Sequence, residues 1–289
     1  PKAYLEADMI YDFGIFGGDM RQIYIAQILK SKGYSVITYS LCTHKPSGCA
    51  EAGSFQSLID NSRCLIGPIA LSDSNGKISA KKTTEDLTLS TLEEHLKGQK
   101  IFAGCISAGF EERCREHESC CYDFMKNREL AMYNAIATAE GTILEAIYHS
   151  PGNLHGSNVL ILGYGTCAKV LANKLKGMDT NIMVCARADS QRMEAGAFGY
   201  AAIGFDRLSE HIGSMEYIFN TVPAIVLDRD KLLLVENDAL VIDIASMPGG
   251  VDREAASELG INLHHCLGLP GKYAPKASAL FLVDTVLAN

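Results

Sequence analysis

The chain has 289 residues, 47% of them hydrophobic and 21% charged, with a formal net charge of -8 and a pI near 5.5. That acidic balance argues against a broad nucleic-acid footprint, and no apolar run approaches the roughly 18 residues needed to cross a bilayer. Its ten cysteines follow no metal-ligand spacing, Cys120-Cys121 being the one tight pair, so free thiols, no metal and a reduced, cytoplasmic protein are expected.

From its start, Pro1-Lys2-Ala3-Tyr4, which carries no secretory pattern, the chain alternates strand-like and helix-like runs. Phe13 to Phe16 reads as a buried strand, Gly17-Gly18-Asp19 as a turn, and Met20 to Lys32 as a helix closed by Gly33. Strands over 35–40, 63–70 and 101–106 and helices over 54–61 and 92–97 continue the pattern, with 71–82 as a surface excursion beside a strand end. Such alternation predicts a parallel sheet covered by helices. Ligands of such sheets sit beyond the carboxyl ends of the strands, which makes Arg21, just after the first turn, a candidate anion ligand or else an exposed first-turn side chain. The charged run from Glu111 to Ser119 reads as a solvated connection. One long helical pattern follows from Lys126 to Tyr148, with Leu130, Asn134, Ala137 and Gly141 along one face, until Pro151-Gly152 stops it. That small and polar stripe predicts close approach by another backbone or by a ligand.

The most informative stretch is Val159 to Ala168, an apolar run meeting Gly163 and Gly165 and then a helix over 166–176. In the G-x-G-x-x-A pattern Gly163 permits the tight turn, Gly165 admits a pyrophosphate, and Ala168 stands where the helix must pack closely on the strand. The N–H groups of the helix start and its positive dipole end then face the anion. Asn181 to Ala186 reads as the next strand and ends at Arg187, where an NAD site would carry a carboxylate for the ribose 2′-hydroxyl. An arginine there, with Ser190 and Arg192 beyond, favours a 2′-phosphate and hence NADP(H); the alternative is a solvated residue at a strand end.

Further strands are predicted at 216–219, 239–244 and 261–265, a capped helix from Asp252 to Leu259, a rigid loop from Gly268 to Pro275, and a last helix over 277–287. The strand ends at 220, 244 and 266 share one rim with Gly163, where a nicotinamide would lie. The candidate cofactor contacts are therefore Gly163, Tyr164, Gly165, Thr166, Cys167, Arg187, Ser190, Arg192, Asn220, Thr221, Val222, Pro223 and Asp243. The expected class is α/β, two open parallel-sheet domains joined by long helices, the C-terminal one a Rossmann dinucleotide-binding fold. Its divisions are an N-terminal substrate or partner domain over 1–126, a connecting helix over 127–150, the Rossmann domain over 151–270, and a loop and helix over 271–289 packing back toward the first domain.

Taken together, the motifs resemble the dipicolinate synthase A subunits of spore-forming bacteria. The segments that carry the resemblance are Gly17-Gly18-Asp19-Met20-Arg21-Gln22, Tyr133-Asn134 with Glu140-Gly141, and His155-Gly156-Ser157-Asn158-Val159. Further along they are Cys185-Ala186-Arg187, Asn220-Thr221-Val222-Pro223-Ala224, Asp243 to Gly250, and Gly268 to Lys276. The N-terminal half matches more loosely, notably around Cys114 to Cys121. The resemblance implies an NADP-dependent oxidation during sporulation that yields dipicolinate from its dihydro or hydroxytetrahydro precursor, drawn from the lysine pathway. It also implies a flavoprotein partner, the dipicolinate synthase B chain, and a homo-oligomer is expected as well. Arg21, Lys272 and Lys276 are then the cations for a dicarboxylate, and Asn134 and Glu140 complete the pocket. Lys276 is the candidate catalytic group, as carboxylate anchor or proton acceptor, against an ordinary lysine in the first turn of a helix.

Other readings stay open at this stage. One is a nucleotide-binding regulatory or scaffold subunit whose partner performs the redox step. Another is a D-2-hydroxyacid dehydrogenase, which would want an arginine that Asp243 to Gly250 lacks, with His264-His265 near the right rim. A third is a shikimate-type dehydrogenase, for which no lysine and aspartate pair stands out.

Overall fold

The computed structural model describes residues 10–289. In chain order the first part runs β1 (Tyr11–Phe16), α1 (Met20–Ser31), β2 (Val36–Tyr39), β3 (Ala50–Glu51), α2 (Phe55–Asp60), β4 (Ser62–Ile66), α3 (Leu89–His95), β5 (Lys100–Ala103), α4 (Ala108–Glu116) and β6 (Cys120–Asp123). A long helix, α5 (Arg128–His149), leads into β7 (Asn158–Leu162), α6 (Thr166–Lys176), β8 (Asn181–Cys185), α7 (Asp189–Ala197) and β9 (Ala201–Ile203). The rest is α8 (Leu208–His211), β10 (Tyr217–Asn220), α9 (Arg229–Leu232), β11 (Leu240–Asp243), α10 (Arg253–Glu258), β12 (Asn262–His265), α11 (Leu269–Tyr273) and α12 (Pro275–Ala288).

The described residues form two compact units, 10–131 with 274–289, and 132–273. It passes from one to the other inside α5 and returns just before α12. Each unit holds a six-stranded sheet, in the orders β3-β2-β1-β4-β5-β6 and β12-β11-β10-β7-β8-β9. Every pairing between these strands is parallel. Read from its own first strand, each is the doubly wound order 3-2-1-4-5-6, so the chain carries the same α/β topology twice.

Parallel strands must be covered on both faces, and their composition records it. In the first unit Phe13, Ile15, Ile66 and Phe102 pack under α1 and α12, while Phe16, Leu65 and Ile101 pack under α2, α3 and α4. In the second, Val159, Ile161 and Phe219 pack under α5 and α6, and Leu160, Leu162 and Ile218 lie on the opposite face with α8, α9 and α10.

Two expected loops are helical. The charged run 111–119 belongs largely to α4, whose Phe110 and Cys114 are fully buried while its acids and arginines face outward. Residues 269–273, read as part of a rigid loop, form α11, with Leu269 buried against α5. The excursion at 71–82 is better anchored than a surface loop, since Leu71 and Ile78 are buried and Gly18 bridges to Ala80. Strands β3, β6 and β9 and helix α7 complete the two units in stretches where periodicity predicts no elements.

Candidate dinucleotide site

The two units repeat one βα turn, and its two copies differ in what fills the helix start. In the first unit Asp19 caps α1, accepting from the Arg21 N–H at 2.9 Å, while the Gln22 Oε1 accepts from the Asp19 N–H at 2.9 Å. A Cβ on Gly18 would run into that same Gln22 oxygen, so the turn is full. In the second unit the N-cap of α6 is Gly165, which offers no side chain, and a Cβ placed on it would meet nothing within 4 Å. The free N–H groups of this helix start therefore face open space, which is what an anion needs. Gly163 has φ +91°, and a Cβ there would sit 2.5 Å from Thr221 Oγ1 and 3.0 Å from Val222 Cγ2. Only glycine allows the turn after β7 to lie this close to the turn after β10. Ala168 is fully buried on the strand beneath, as the expected close packing requires.

The remaining candidates divide by where their side chains go. Thr166 is exposed and Cys167 half-buried, its thiol pushed up by burial. Tyr164 is buried, its ring edge-on to Tyr200, so only its backbone faces the turn. Arg187, at the tip of β8, is exposed, and its side chain has no protein partner among the described residues; Ser190 is exposed as well. Arg192 is bound elsewhere: its Nη1 donates to the carbonyls of Ala186 and Arg187, each at 2.7 Å, and its Nη2 pairs with Asp189. It braces the strand tip and leaves Arg187 as the unengaged cation there.

Asn220 and Asp243 require a correction, because both side chains are almost wholly buried and turned into the protein. Asp243 Oδ1 accepts from Asn220 Nδ2 at 2.8 Å and from the Ala245 N–H at 3.0 Å, and Oδ2 accepts from the Gly250 N–H at 2.9 Å. Asn220 Nδ2 also donates to the Val222 carbonyl at 3.0 Å, and its Oδ1 accepts from the Val222 N–H at 3.1 Å. The pair shapes the loops after β10 and β11 without presenting a side chain to a ligand. Gly250 belongs to this arrangement, since a Cβ there would collide with Asn220 Nδ2. Thr221 ties the same loop to β7 by donating to the Leu162 carbonyl at 2.8 Å, while Val222 is half-buried and Pro223 stands on the rim.

The residues expected at a substrate do not converge as simple free cations. Arg21 is buried and engages Asp19 in two-pronged fashion, with Nε to Oδ1 at 3.0 Å and Nη2 to Oδ2 at 2.8 Å, and also donates to the Ile69 carbonyl. Burial would raise the Asp19 pKa, but Arg21 outweighs it and holds the carboxyl below its ordinary value. Glu140 is a surface residue paired with Lys174 of α6 at 2.8 Å. Asn134 is half-buried on α5, and its backbone carbonyl accepts from the Thr138 hydroxyl at 2.8 Å. Lys276 is exposed in the first turn of α12, in the first unit, whereas Lys272 stands on α11 in the second.

Lys272 leads to residues that the sequence motifs leave unmarked. Its Nζ donates to Glu145 Oε1 at 2.6 Å, and the Tyr273 hydroxyl donates to the same oxygen at 2.7 Å. His149 Nε2 lies 3.2 Å from Oε2, and its ring stacks on His264 with centroids 3.5 Å apart. Glu145 follows Gly141 by one helical turn, so the stripe along α5 contained the signal, though not its partners. A Cβ on Gly141 would touch Leu269 and Tyr273 at 3.0 Å, which is the close backbone approach expected for that stripe. Among the described residues no group of three or more His, Cys, Asp or Glu is placed to hold a metal, and no helix is long and apolar enough to cross a membrane.

Comparison with known proteins agrees with this architecture. Residues 12–125 match the model of the N-terminal domain of dipicolinate synthase A subunits. The A subunit of dipicolinate synthase from Bacillus subtilis is 27% identical over 278 residues, 94% of this chain and 93% of that protein. The crystal structure of the dipicolinate synthase A subunit from Bacillus halodurans superposes with a TM-score of 0.85 at 26% identity, covering 96% of this chain and 97% of that one. A more local likeness, 26% identity over 133 residues, 42% of this chain and 50% of the other, joins it to the NADP(+) shikimate dehydrogenase of Pyrococcus abyssi. With a matched N-terminal domain, similarity along nearly the whole chain and a shared doubly wound architecture in both units, the chain is similar throughout to dipicolinate synthase A subunits.

Proposed function

We propose that the C-terminal unit binds NADP(H) and that the chain oxidises a dihydropyridine dicarboxylate, or its hydroxytetrahydro precursor, to dipicolinate. The observation that carries this reading is the open start of α6, uncapped and unobstructed, set against the same turn in the first unit, filled by Asp19 and Gln22. The N–H groups after Gly165 would hold the pyrophosphate, and Arg187 would pair with the 2′-phosphate, both of which fit groups that have no competing partner among the described residues. The nicotinamide, when bound, supplies a hydride acceptor.

This chain's own residues then have to orient the ring and hold its carboxylates. Asn220 and Asp243 act through the backbone, fixing the loops that border the rim. Lys272 offers a positive charge near the carboxyl end of β12. Gained aromaticity supplies the driving force, so the protein's chief task is alignment rather than strong acid–base catalysis. Because the related proteins are named as one part of a multi-chain synthase, a second chain, the flavoprotein expected above, belongs to the same proposal.

Titration of the purified chain with NADPH and NADH, followed by nicotinamide fluorescence, tests the cofactor. Incubation with freshly generated dihydrodipicolinate and NADP+, without a flavoprotein, tests the reaction. Absence of NADPH binding refutes the proposal; binding without turnover would make the chain a nucleotide-holding component whose partner performs the oxidation.

A further inference from the structure

Glu145 is nearly inaccessible, with 5% of its side chain exposed, yet three ionisable groups converge on it. Lys272 and Tyr273 share Oε1, His149 approaches Oε2, and His264 lies behind His149 with its Nε2 2.9 Å from Asn262 Oδ1. Burying a carboxylate is expensive and is tolerated only when its lone pairs are filled; an apolar contact would fasten α11 to α5 at less cost. The helix pair already has such a contact, at Gly141 and Leu269. A buried carboxylate added beside it serves its partners.

Those partners face outward. The Lys272 side chain is 56% exposed, and of the three N–H donors of its ammonium, Glu145 and the Tyr273 oxygen take at most two. The Tyr273 residue is 37% exposed. Both stand on α11, shortly beyond the carboxyl end of β12, on the rim where open α/β sheets bind ligands.

We propose that Lys272 and Tyr273 form a carboxylate-binding subsite for a small aromatic dianion, and that Glu145 is its positioning residue, holding the ammonium in place and charged. The identity of that dianion, dipicolinate, rests on the proposed reaction. Direction of titration supports the assignment. Burial pushes the Glu145 carboxyl up, but its bonds from Lys272 and Tyr273, with the charges of Lys272 and His149, bring it below its ordinary value. The bond to Glu145 in turn raises the Lys272 ammonium above the usual lysine range, so Lys272 acts as a cation and not as a base. The other titratable groups around Glu145 are His149, His264 and Cys266. Burial and His149 lower His264, burial drives the Cys266 thiol to about 11, and the Tyr273 phenol ends above its usual value although its bond with Lys272 alone would lower it.

Two roles for Glu145 give opposite signs. If it only neutralises Lys272, its removal frees a cation and tightens dianion binding; if it positions Lys272, its removal weakens binding. The test is calorimetric titration of the full chain with dipicolinate at pH 7 and pH 10.5, alongside NADPH, for wild type, Glu145→Gln, Glu145→Asp and Tyr273→Phe. Positioning predicts about tenfold weaker dipicolinate binding for Glu145→Gln. It also predicts a larger loss at pH 10.5 than at pH 7, because an unpaired lysine is about half discharged there, partial recovery in Glu145→Asp, and unchanged NADPH affinity. Unchanged or tighter dipicolinate binding overturns the proposal, as does equal loss at both pH values, the mark of a merely structural pair. Should Glu145→Gln fail to fold, Tyr273→Phe decides, with about two- to fivefold weaker binding expected and no change fatal to the proposal. A wild-type chain that binds NADPH but not dipicolinate overturns the subsite alone; one that binds dipicolinate but not NADPH overturns the cofactor reading alone.

Discussion

Asp243→Ala tests whether the rim of the second sheet is held by a buried carboxylate. Asp243 accepts from three donors, the Asn220 amide and the backbone N–H groups of Ala245 and Gly250, at 2.8, 3.0 and 2.9 Å. On truncation Asn220 keeps the Val222 carbonyl, but the two backbone donors lose their partner in a place where Ala245 and Gly250 are buried. Each orphaned donor costs about 1 to 3 kcal/mol, so the second unit should lose roughly 2 to 6 kcal/mol, a large share of the ~5 to 15 kcal/mol that holds a typical domain. Urea unfolding gives the total, and amide hydrogen exchange at 245 and 250 locates it, a local readout that two separately unfolding units do not blur. NADPH affinity should fall along with stability, since the loops after β10 and β11 are what the carboxylate holds. A variant of unchanged stability that has lost NADPH binding would mean that Asp243 touches the cofactor directly, and would refute the structural role its burial assigns to it.

Three further outcomes are expected. Arg187→Asp removes a cation with no partner among the described residues, so stability should hold while NADPH binding falls by about 10- to 150-fold, from a lost charge-assisted bond of roughly 1.5 to 3 kcal/mol, and NADH binding changes far less; equal losses would reject the 2′-phosphate contact. Gly141→Val forces a branched side chain into Leu269 and Tyr273, which a Cβ alone would already meet at 3.0 Å, and should cost about 1 to 3 kcal/mol in thermal or urea unfolding. The folded-state pKa of Glu145 is depressed, so its contribution is fully present above the unfolded value of about 4.3 and is lost as the pH falls through the lower folded value. Stability measured from pH 6 downward should therefore fall less steeply in Glu145→Gln than in wild type through and below the ordinary carboxylate range.

The sequence by itself determined the repeated α/β plan and the start of α6. Buried parallel strands need long apolar runs and helices need one apolar face, and both patterns are local: 166–176 reads as helix α6 to the residue, and the strand tip at Arg187 follows from the run 181–186. Local patterning failed where composition hid the buried face. The charged residues of α4 obscure Phe110 and Cys114, the side chains of that helix that reach the core, and the glycines and prolines around α11 resemble a loop until Leu269 is seen packed at Gly141. What tertiary structure alone decided is which polar group each polar group meets. Asn220 and Asp243 look like ligand contacts at strand ends until the backbone donors of 245 and 250 close around them, and Arg21 looks like a free cation until Asp19 takes it. Glu145 and Lys272 lie 127 residues apart in the chain, and no periodicity relates them. Periodicity records which side of an element faces the core, because burial acts on one residue at a time; a hydrogen bond or ion pair needs two residues at a set distance, and only the folded chain brings them there.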